Sequence, residues 1–201
     1  MIITDFLERN AREFPNDVAL VEINPEIKED RRVTWKEFEL IEPSPKTSYR
    51  REITWGVFNE KANRFANLLL QRGVKKGDKV AILMMNGLEW LPIYFGILKT
   101  GALAVPLNFR YSSDEIEYCV NLAEVDILVF SNAFIGRVEE IADRISKGRL
   151  LIYVGEGCPG FADDYNSLSA NCSSQSPMVA LTDEDYAAIY FSSGTTGFPK
   201  A

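Results

Sequence analysis

Between residues 53 and 154 the apolar positions change period several times, and each change marks an element. Phe58, Ala62, Phe65, Ala66 and Leu69 recur at helical spacing on one face, with Thr54 placed to cap the start and Gly73 the end. After a turn at 75–78, Val80-Ala81-Ile82-Leu83-Met84 is an unbroken apolar run, the pattern of a strand buried on both faces. Asn86-Gly87 opens a helix over 88–99 that is apolar nearly all round, expected in the core and ended by Gly101. Residues 102–106 read as the next strand. Ser112 with Glu115 forms a capping box for a helix through 123. Residues 126–130 read as a strand. Ile135, Val138, Ile141 and Ile145 mark an amphipathic helix stopped by Gly148, and 150–154 is a further strand. Helices alternating with fully apolar strands predict an α/β fold, a mostly parallel sheet flanked by helices on both faces.

The flanks are less regular. Residues 2–14 suggest a short amphipathic helix with Phe6, Leu7 and Phe14 on one face, and 19–23 a short strand. Residues 24–52 are polar and contain Pro25, Pro43 and Pro45, which predicts a hairpin or surface excursion. Val33-Thr34-Trp35-Lys36-Glu37-Phe38 is echoed by Ile53-Thr54-Trp55-Gly56-Val57-Phe58, consistent with one strand-then-helix start used twice or with coincidence. Two copies are too few for a repeat architecture. Residues 155–178, rich in Gly, Ser, Asn, Asp and Pro, read as a long loop. Residues 187–191 read as a strand that runs directly into Ser192-Ser193-Gly194-Thr195-Thr196-Gly197-Phe198-Pro199-Lys200.

Composition narrows the chemistry. The 201 residues are 46% hydrophobic and 25% charged, ordinary values for a globular core. A net charge of −7 opposes nucleic acid as a partner, so any bound anion must be held by local donors. The three cysteines, Cys119, Cys158 and Cys172, include no CxxC pair. That argues against a disulfide framework or zinc ribbon and suits a reducing, cytoplasmic compartment. The absence of histidine removes Ser-His and Cys-His catalysis and histidine metal sites. The N-terminus lacks the basic start of a signal peptide. The apolar stretch 80–107 is interrupted by Asn86, Glu89 and Lys99, so it reads as core elements and not as an integral membrane segment.

The loop at 192–200 carries the candidate chemistry. Open parallel sheets bind ligands beyond the carboxyl ends of their strands, where this loop is expected. Gly194 and Gly197 permit torsions that let several amides converge on an anion. Ser192, Ser193, Thr195 and Thr196 add hydroxyls, Lys200 adds a mobile charge, and Pro199 stiffens the exit. The spacing is not GxxxxGK[ST], because Phe198-Pro199-Lys200 follows Gly197, and GxGxxG is missing. Elsewhere, Asp183-Glu184-Asp185 reads as a solvated turn rather than a metal cluster, and Arg50-Arg51 and Lys75-Lys76 as solvated. Trp90, Tyr94 and Phe95 read as core packing before an acyl tunnel. Pro106-Leu107-Asn108-Phe109-Arg110 follows a strand end and borders the expected site.

Ile189 to Lys200 resembles the phosphate-loop signature of the adenylate-forming superfamily, which holds acyl-CoA synthetases, luciferases and peptide-synthetase adenylation domains. Leu98-Lys99-Thr100-Gly101-Ala102-Leu103-Ala104-Val105-Pro106-Leu107-Asn108 resembles an earlier motif of that family. Residues 54–70 and 74–83 resemble its N-terminal region. The resemblance implies that residues 1–201 are the N-terminal portion of the AMP-binding large domain, with 24–52 an excursion longer than the family's. It implies a two-step reaction: a carboxylic acid, a fatty acid foremost, reacts with ATP to give an acyl-adenylate and pyrophosphate, and coenzyme A then displaces AMP. Ser192, Ser193, Gly194, Thr195, Thr196, Gly197 and Lys200 would bind the nucleotide phosphates, with Lys200 and Thr196 acting in catalysis. Magnesium would share the phosphate charge, and no residue here is assigned to it. An oligomer is compatible with this reading. The adenine, ribose and thiol-step residues are expected beyond Ala201, so these residues by themselves are not expected to complete adenylation. An aryl-CoA ligase or amino-acid-activating domain fits the same motif. A non-catalytic nucleotide-binding module is the alternative of a different class.

Overall fold

The computed structural model describes residues 2–23, 31–35, 38–42, 50–145, 149–192 and 199–200. Chain order is α1 (Ile3–Glu13), β1 (Val18–Ile23), β2 (Arg31–Trp35), β3 (Phe38–Glu42), β4 (Arg50–Thr54), α2 (Trp55–Gln71), β5 (Lys79–Leu83), α3 (Trp90–Lys99), β6 (Leu103–Pro106), α4 (Ser113–Leu122), β7 (Ile127–Ser131), α5 (Ile135–Ile145), β8 (Leu150–Val154), β9 (Asp163–Asp164) and α6 (Tyr165–Ala170). The central sheet has five strands in the order β6-β5-β7-β8-β9, all parallel. This is the predicted α/β architecture.

The apolar runs become buried strands because both faces of the sheet are covered. Ala81, Leu83, Leu128, Phe130, Leu151 and Tyr153 point into one layer with α4 and α5. Val80, Ile82, Ile127, Val129, Ile152 and Val154 point into the other, with α2, α3 and α6. Alternate side chains of one strand therefore reach opposite layers, as the pleat demands. Chain order reverses between β5, which leads to α3 on one face, and β7, which leads to α5 on the other.

The local signals act as read. The Thr54 hydroxyl accepts from the Val57 amide at 3.3 Å and starts α2. Ser112 and Glu115 close their capping box, each accepting from the other's backbone amide. Gly96 lets α3 lie against α2: a Cβ there would stand 2.9 Å from the Ala62 carbonyl oxygen and from the Phe65 ring. Gly101 has φ +75°, in the left-handed region, and ends the chain segment after α3.

Several expectations are corrected. Leu7 is buried in α1, but Phe6 and Phe14 are about half exposed, since the helix packs on α2 through a narrow stripe. Helix α3 begins at Trp90, not 88, because Gly87 to Glu89 form a turn closed by the Trp90 amide to the Gly87 carbonyl. The nearly all-apolar α3 also buries a cation: Lys99 is 3% exposed and donates to Glu8 of α1 at 2.6 Å and Asn59 of α2 at 3.0 Å. The echo does not repeat a structure, for Trp35 pairs with Phe38 in the β2–β3 hairpin, whereas Ile53-Thr54 ends β4 and leads into α2. The antiparallel β2–β3 pairing is the hairpin expected within 24–52; residues 24–30, 36–37 and 43–49 lie outside the described residues. Gly148 lies outside the described residues.

Residues 155–178 are more ordered than a loop. Asp164 caps α6 by accepting from the Ser167 amide and hydroxyl, and Tyr165 is buried against Phe65. The chain then crosses the α2 layer as a strap. The Arg64 guanidinium donates to the Ala170 and Cys172 carbonyls, Asn63 to Ser174, and Asn67 to Ser173 and Gln175. The Ser176 hydroxyl donates to Glu8. Among the described residues, no helix is long and apolar enough to cross a membrane.

Candidate functional site

The strap delivers the chain to the free edge of β6. There Ala188 bridges Ala104 in parallel: the Ala104 amide donates to the Ala187 carbonyl at 3.0 Å, and the Ile189 amide to the Ala104 carbonyl at 2.9 Å. Residues 187–191 were expected as a strand. The structure has this single bridge instead, because the next donor of the ladder on β6 would be the backbone nitrogen of Pro106, which carries no hydrogen. The direction of travel is the expected one. Ser192 lies four residues past Ala188, whereas β6 ends two past Ala104, so the glycine-rich loop starts roughly two residues beyond the carboxyl end of β6.

Ser192 and Lys200 form an antiparallel bridge that closes the loop at its base. The Ser192 amide donates to the Lys200 carbonyl at 2.7 Å and the Lys200 amide to the Ser192 carbonyl at 3.1 Å. The Ser192 hydroxyl also donates to the Lys200 carbonyl, at 3.2 Å. Ser192 thus spends its hydroxyl on loop closure. Pro199 is buried, and the Lys200 side chain is exposed with no carboxylate partner among the described residues. Ser193, Gly194, Thr195, Thr196 and Gly197 lie outside the described residues. The structure therefore brings together the two ends of the expected site.

The segment feeding the loop alternates. Ile189 and Phe191 pack against the α4–α5 layer, and Ala188 against the α2–α3 layer. Tyr190 faces the α3 side, where its hydroxyl lies 3.1 Å from that of Tyr94. Burial, with Tyr190 beside it, raises the Tyr94 phenol above the ordinary tyrosine value. Trp90 stacks on Tyr94 with centroids 5.3 Å apart, and Phe95 meets Phe58 edge-on at 5.3 Å. The three α3 aromatics pack as core and rim; sequence reasoning missed the tie to Tyr190. The signal was available in the period-2 alternation, which puts Tyr190 opposite Ile189 and Phe191.

Other candidates are placed by their partners. Asp185 accepts from the Thr182 amide at 2.8 Å and pairs with Lys76 at 2.7 Å, so that turn is pinned as well as solvated. Arg51 pairs with Glu22 at 2.6 Å, and Arg50 with Glu52 at 2.9 Å. Asn108 accepts from the Arg110 amide at 3.0 Å in the turn after β6. A cavity of about 240 Å³ between Ile3, Leu181 and Tyr186 sits by Gly101, at the end of β6 away from the loop. No group of three or more metal-ligating side chains occurs among the described residues.

A family model described as AMP-binding enzyme matches residues 43–201. The chain belongs to this family. Curated relatives agree. The medium/long-chain-fatty-acid–CoA/3-oxocholest-4-en-26-oate–CoA ligase of Mycolicibacterium smegmatis is 33% identical over 72% of this chain and 27% of its own length. The crotonobetaine/carnitine–CoA ligase of Salmonella paratyphi B is 36% identical over 71% and 28%. Among solved structures, the anthranilate CoA ligase AuaEII in complex with anthranoyl-AMP superposes with a TM-score of 0.74 at 25% identity, covering 98% of this chain and 33% of that one. The chain spans little more than a quarter of the curated relatives' length. In an AMP-binding enzyme, a glycine-rich loop closed at its base beyond β6 is the natural candidate site within these residues.

Proposed function

We propose that the protein carrying this chain is an acyl-CoA ligase that activates a carboxylic acid, a fatty acid first, with ATP. One carboxylate oxygen attacks the α-phosphorus of ATP and the α–β anhydride bond breaks, giving acyl-adenylate and pyrophosphate. The thiol of coenzyme A then attacks the acyl carbon and AMP leaves. We place residues 1–201 in the N-terminal portion of the large domain, in a reducing cytoplasmic setting that suits three free thiols. The observation that carries the reading is the base of the loop. Backbone pairing of Ser192 with Lys200 brings the two ends of the glycine-rich segment together beyond the carboxyl end of β6, with the Lys200 side chain exposed.

In this reading the amides of Gly194 and Gly197 and the hydroxyls of Ser193, Thr195 and Thr196 hold the β- and γ-phosphates, while Lys200 offsets the charge growing on the leaving pyrophosphate. Donors fixed before reaction need little reorganisation as that charge develops. Hydroxyls, amides and an ammonium suit phosphate oxygens. They do not make a resident site for magnesium, which would arrive with the nucleotide. The relatives' names span fatty, carnitine-type and aromatic acids, which supports adenylation and thiol transfer as the shared chemistry and the acyl pocket as the variable part.

The test is acid-dependent exchange of labelled pyrophosphate into ATP by the full-length protein, with fatty, aryl and amino acids compared. Fatty acids should support it best. Lys200→Ala and Thr196→Ala should each lower exchange by about a hundredfold with little change in melting temperature. Exchange driven only by amino acids would point to an amino-acid-activating domain, and none with any acid to a non-catalytic module.

A further inference from the structure

The Ser192–Lys200 pair fixes the loop's ends to each other, but not to the body of the protein. Among the described residues, the segment before the loop is tied to the body by the Ala104–Ala188 bridge, the inward packing of Ile189 and Phe191, and the hydroxyl contact between Tyr190 and Tyr94. The last differs in place. The hydrogen bonds of the Ala104–Ala188 bridge are directional but end at Ile189, and Ile189 and Phe191 add apolar area without direction, so among the described residues the Tyr190–Tyr94 contact is the directional tie of the approaching segment nearest the loop. Tyr190 is 64% exposed, so without that partner its side chain would have few constraints. Tyr94, by contrast, is set rigidly. It is stacked under Trp90 at an interplanar angle of 13° and edge-on to Phe95 at 6.2 Å, on a helix packed tightly against α2 through Gly96.

We propose that Tyr94 is a positioning residue for the base of the glycine-rich loop: its hydroxyl holds Tyr190, two residues before Ser192, and so fixes the course of the segment that leads into Ser192. The proposal rests on the adenylation reading and adds a residue from a different element, α3. Neither tyrosine touches the reacting atoms. Their part is to set the direction of the loop's donors, and a modest misalignment of such donors costs binding before it costs stability.

The experiment uses the full-length protein with Tyr94→Phe, Tyr190→Phe and the double variant, each of which keeps its ring. Expected is a three- to tenfold rise in KM for ATP in pyrophosphate exchange. KM for the acid, the kcat and the melting temperature should stay within twofold or one degree of wild type. The double variant should be no worse than either single one, since both remove the same contact. An unchanged KM for ATP, additive effects, or equal changes in both KM values overturn the proposal. If wild type shows no acid-dependent exchange, the adenylation reading fails, and ATP affinity by calorimetry on the same variants decides Tyr94 separately. A wild type that neither exchanges nor binds ATP overturns both.

Discussion

The parallel sheet and the strap that crosses its α2 face lie against the same helix and are held by opposite means. Strands β5, β7 and β8 contribute Val80, Ala81, Ile82, Leu83, Leu128, Val129, Phe130 and Ile152, all at 0–1% exposure. The strap between 170 and 176 buries Cys172 but otherwise offers its carbonyls to Asn63, Arg64 and Asn67. Apolar burial is non-directional and scales with area, so the sheet tolerates no loss of volume. Single hydrogen bonds are worth about 1 kcal/mol each, so the strap should yield piecemeal. The difference teaches where the molecule is rigid and how the loop's approach is set. A deep core presents β6, and a hydrogen-bonded lashing brings residues 187–192 to its edge.

This contrast can be broken at graded cost. Phe130→Ala, which removes a fully buried ring stacked on Phe161 and edge-on to Tyr153, should destabilise by about 3–5 kcal/mol in denaturant unfolding. A smaller loss would mean that the core collapses onto the gap. Glu8→Ala strands the Lys99 ammonium, whose side chain is only 2% exposed. The loss should be about 2 kcal/mol, below the usual range for a broken buried pair because Glu8 itself is partly wet. The same carboxylate gives a pH signature. Burial would raise its pKa, but the bonds from Lys99 and Ser176 outweigh this and hold it below its ordinary value of 4.5. A depressed folded pKa means stability that is present above that ordinary value and lost as pH falls beneath it. Wild type should lose stability below pH 4.5 more steeply than Glu8→Gln, and parallel curves would reject the linkage. Smallest is Asn67→Ala, which frees the Ser173 and Gln175 carbonyls. It should cost about 1 kcal/mol yet speed proteolysis within 171–178 well before global unfolding. Cleavage at the wild-type rate would show that the strap is held elsewhere.

Residue patterns disclosed the sheet well and the strap hardly at all. Val80 to Met84 reads as a buried strand, which the structure places at Lys79–Leu83, and Ser112 with Glu115 reads as a helix start, because each signal is local. The strap's partners lie more than a hundred residues away along the chain, as Asn63 is from Ser174, and its own composition is that of a loop. Asp164 as the cap of α6 was readable in principle, yet so short a helix leaves no periodicity. Lys99 reads in the sequence as one of the polar interruptions of the apolar stretch 80–107. Only the arrival of Glu8 and Asn59 from α1 and α2 makes it a buried strut.

The candidate site divides along the same line. Residue order dictated the loop's composition, the apolar segment before it and the lysine after it, because the torsional freedom of glycine and the donors of serine and threonine belong to the residues themselves. Family resemblance could be read from that string and agrees with the match over 43–201. Tertiary structure decided that Ser192 pairs with Lys200, that the segment docks on the outer edge of β6, and that Tyr190 meets Tyr94. Those contacts join parts of the chain that no local period relates. They exist because the strap carries residues 187–192 across the helical layer to an edge left free by the order in which β5, β6 and β7 pair.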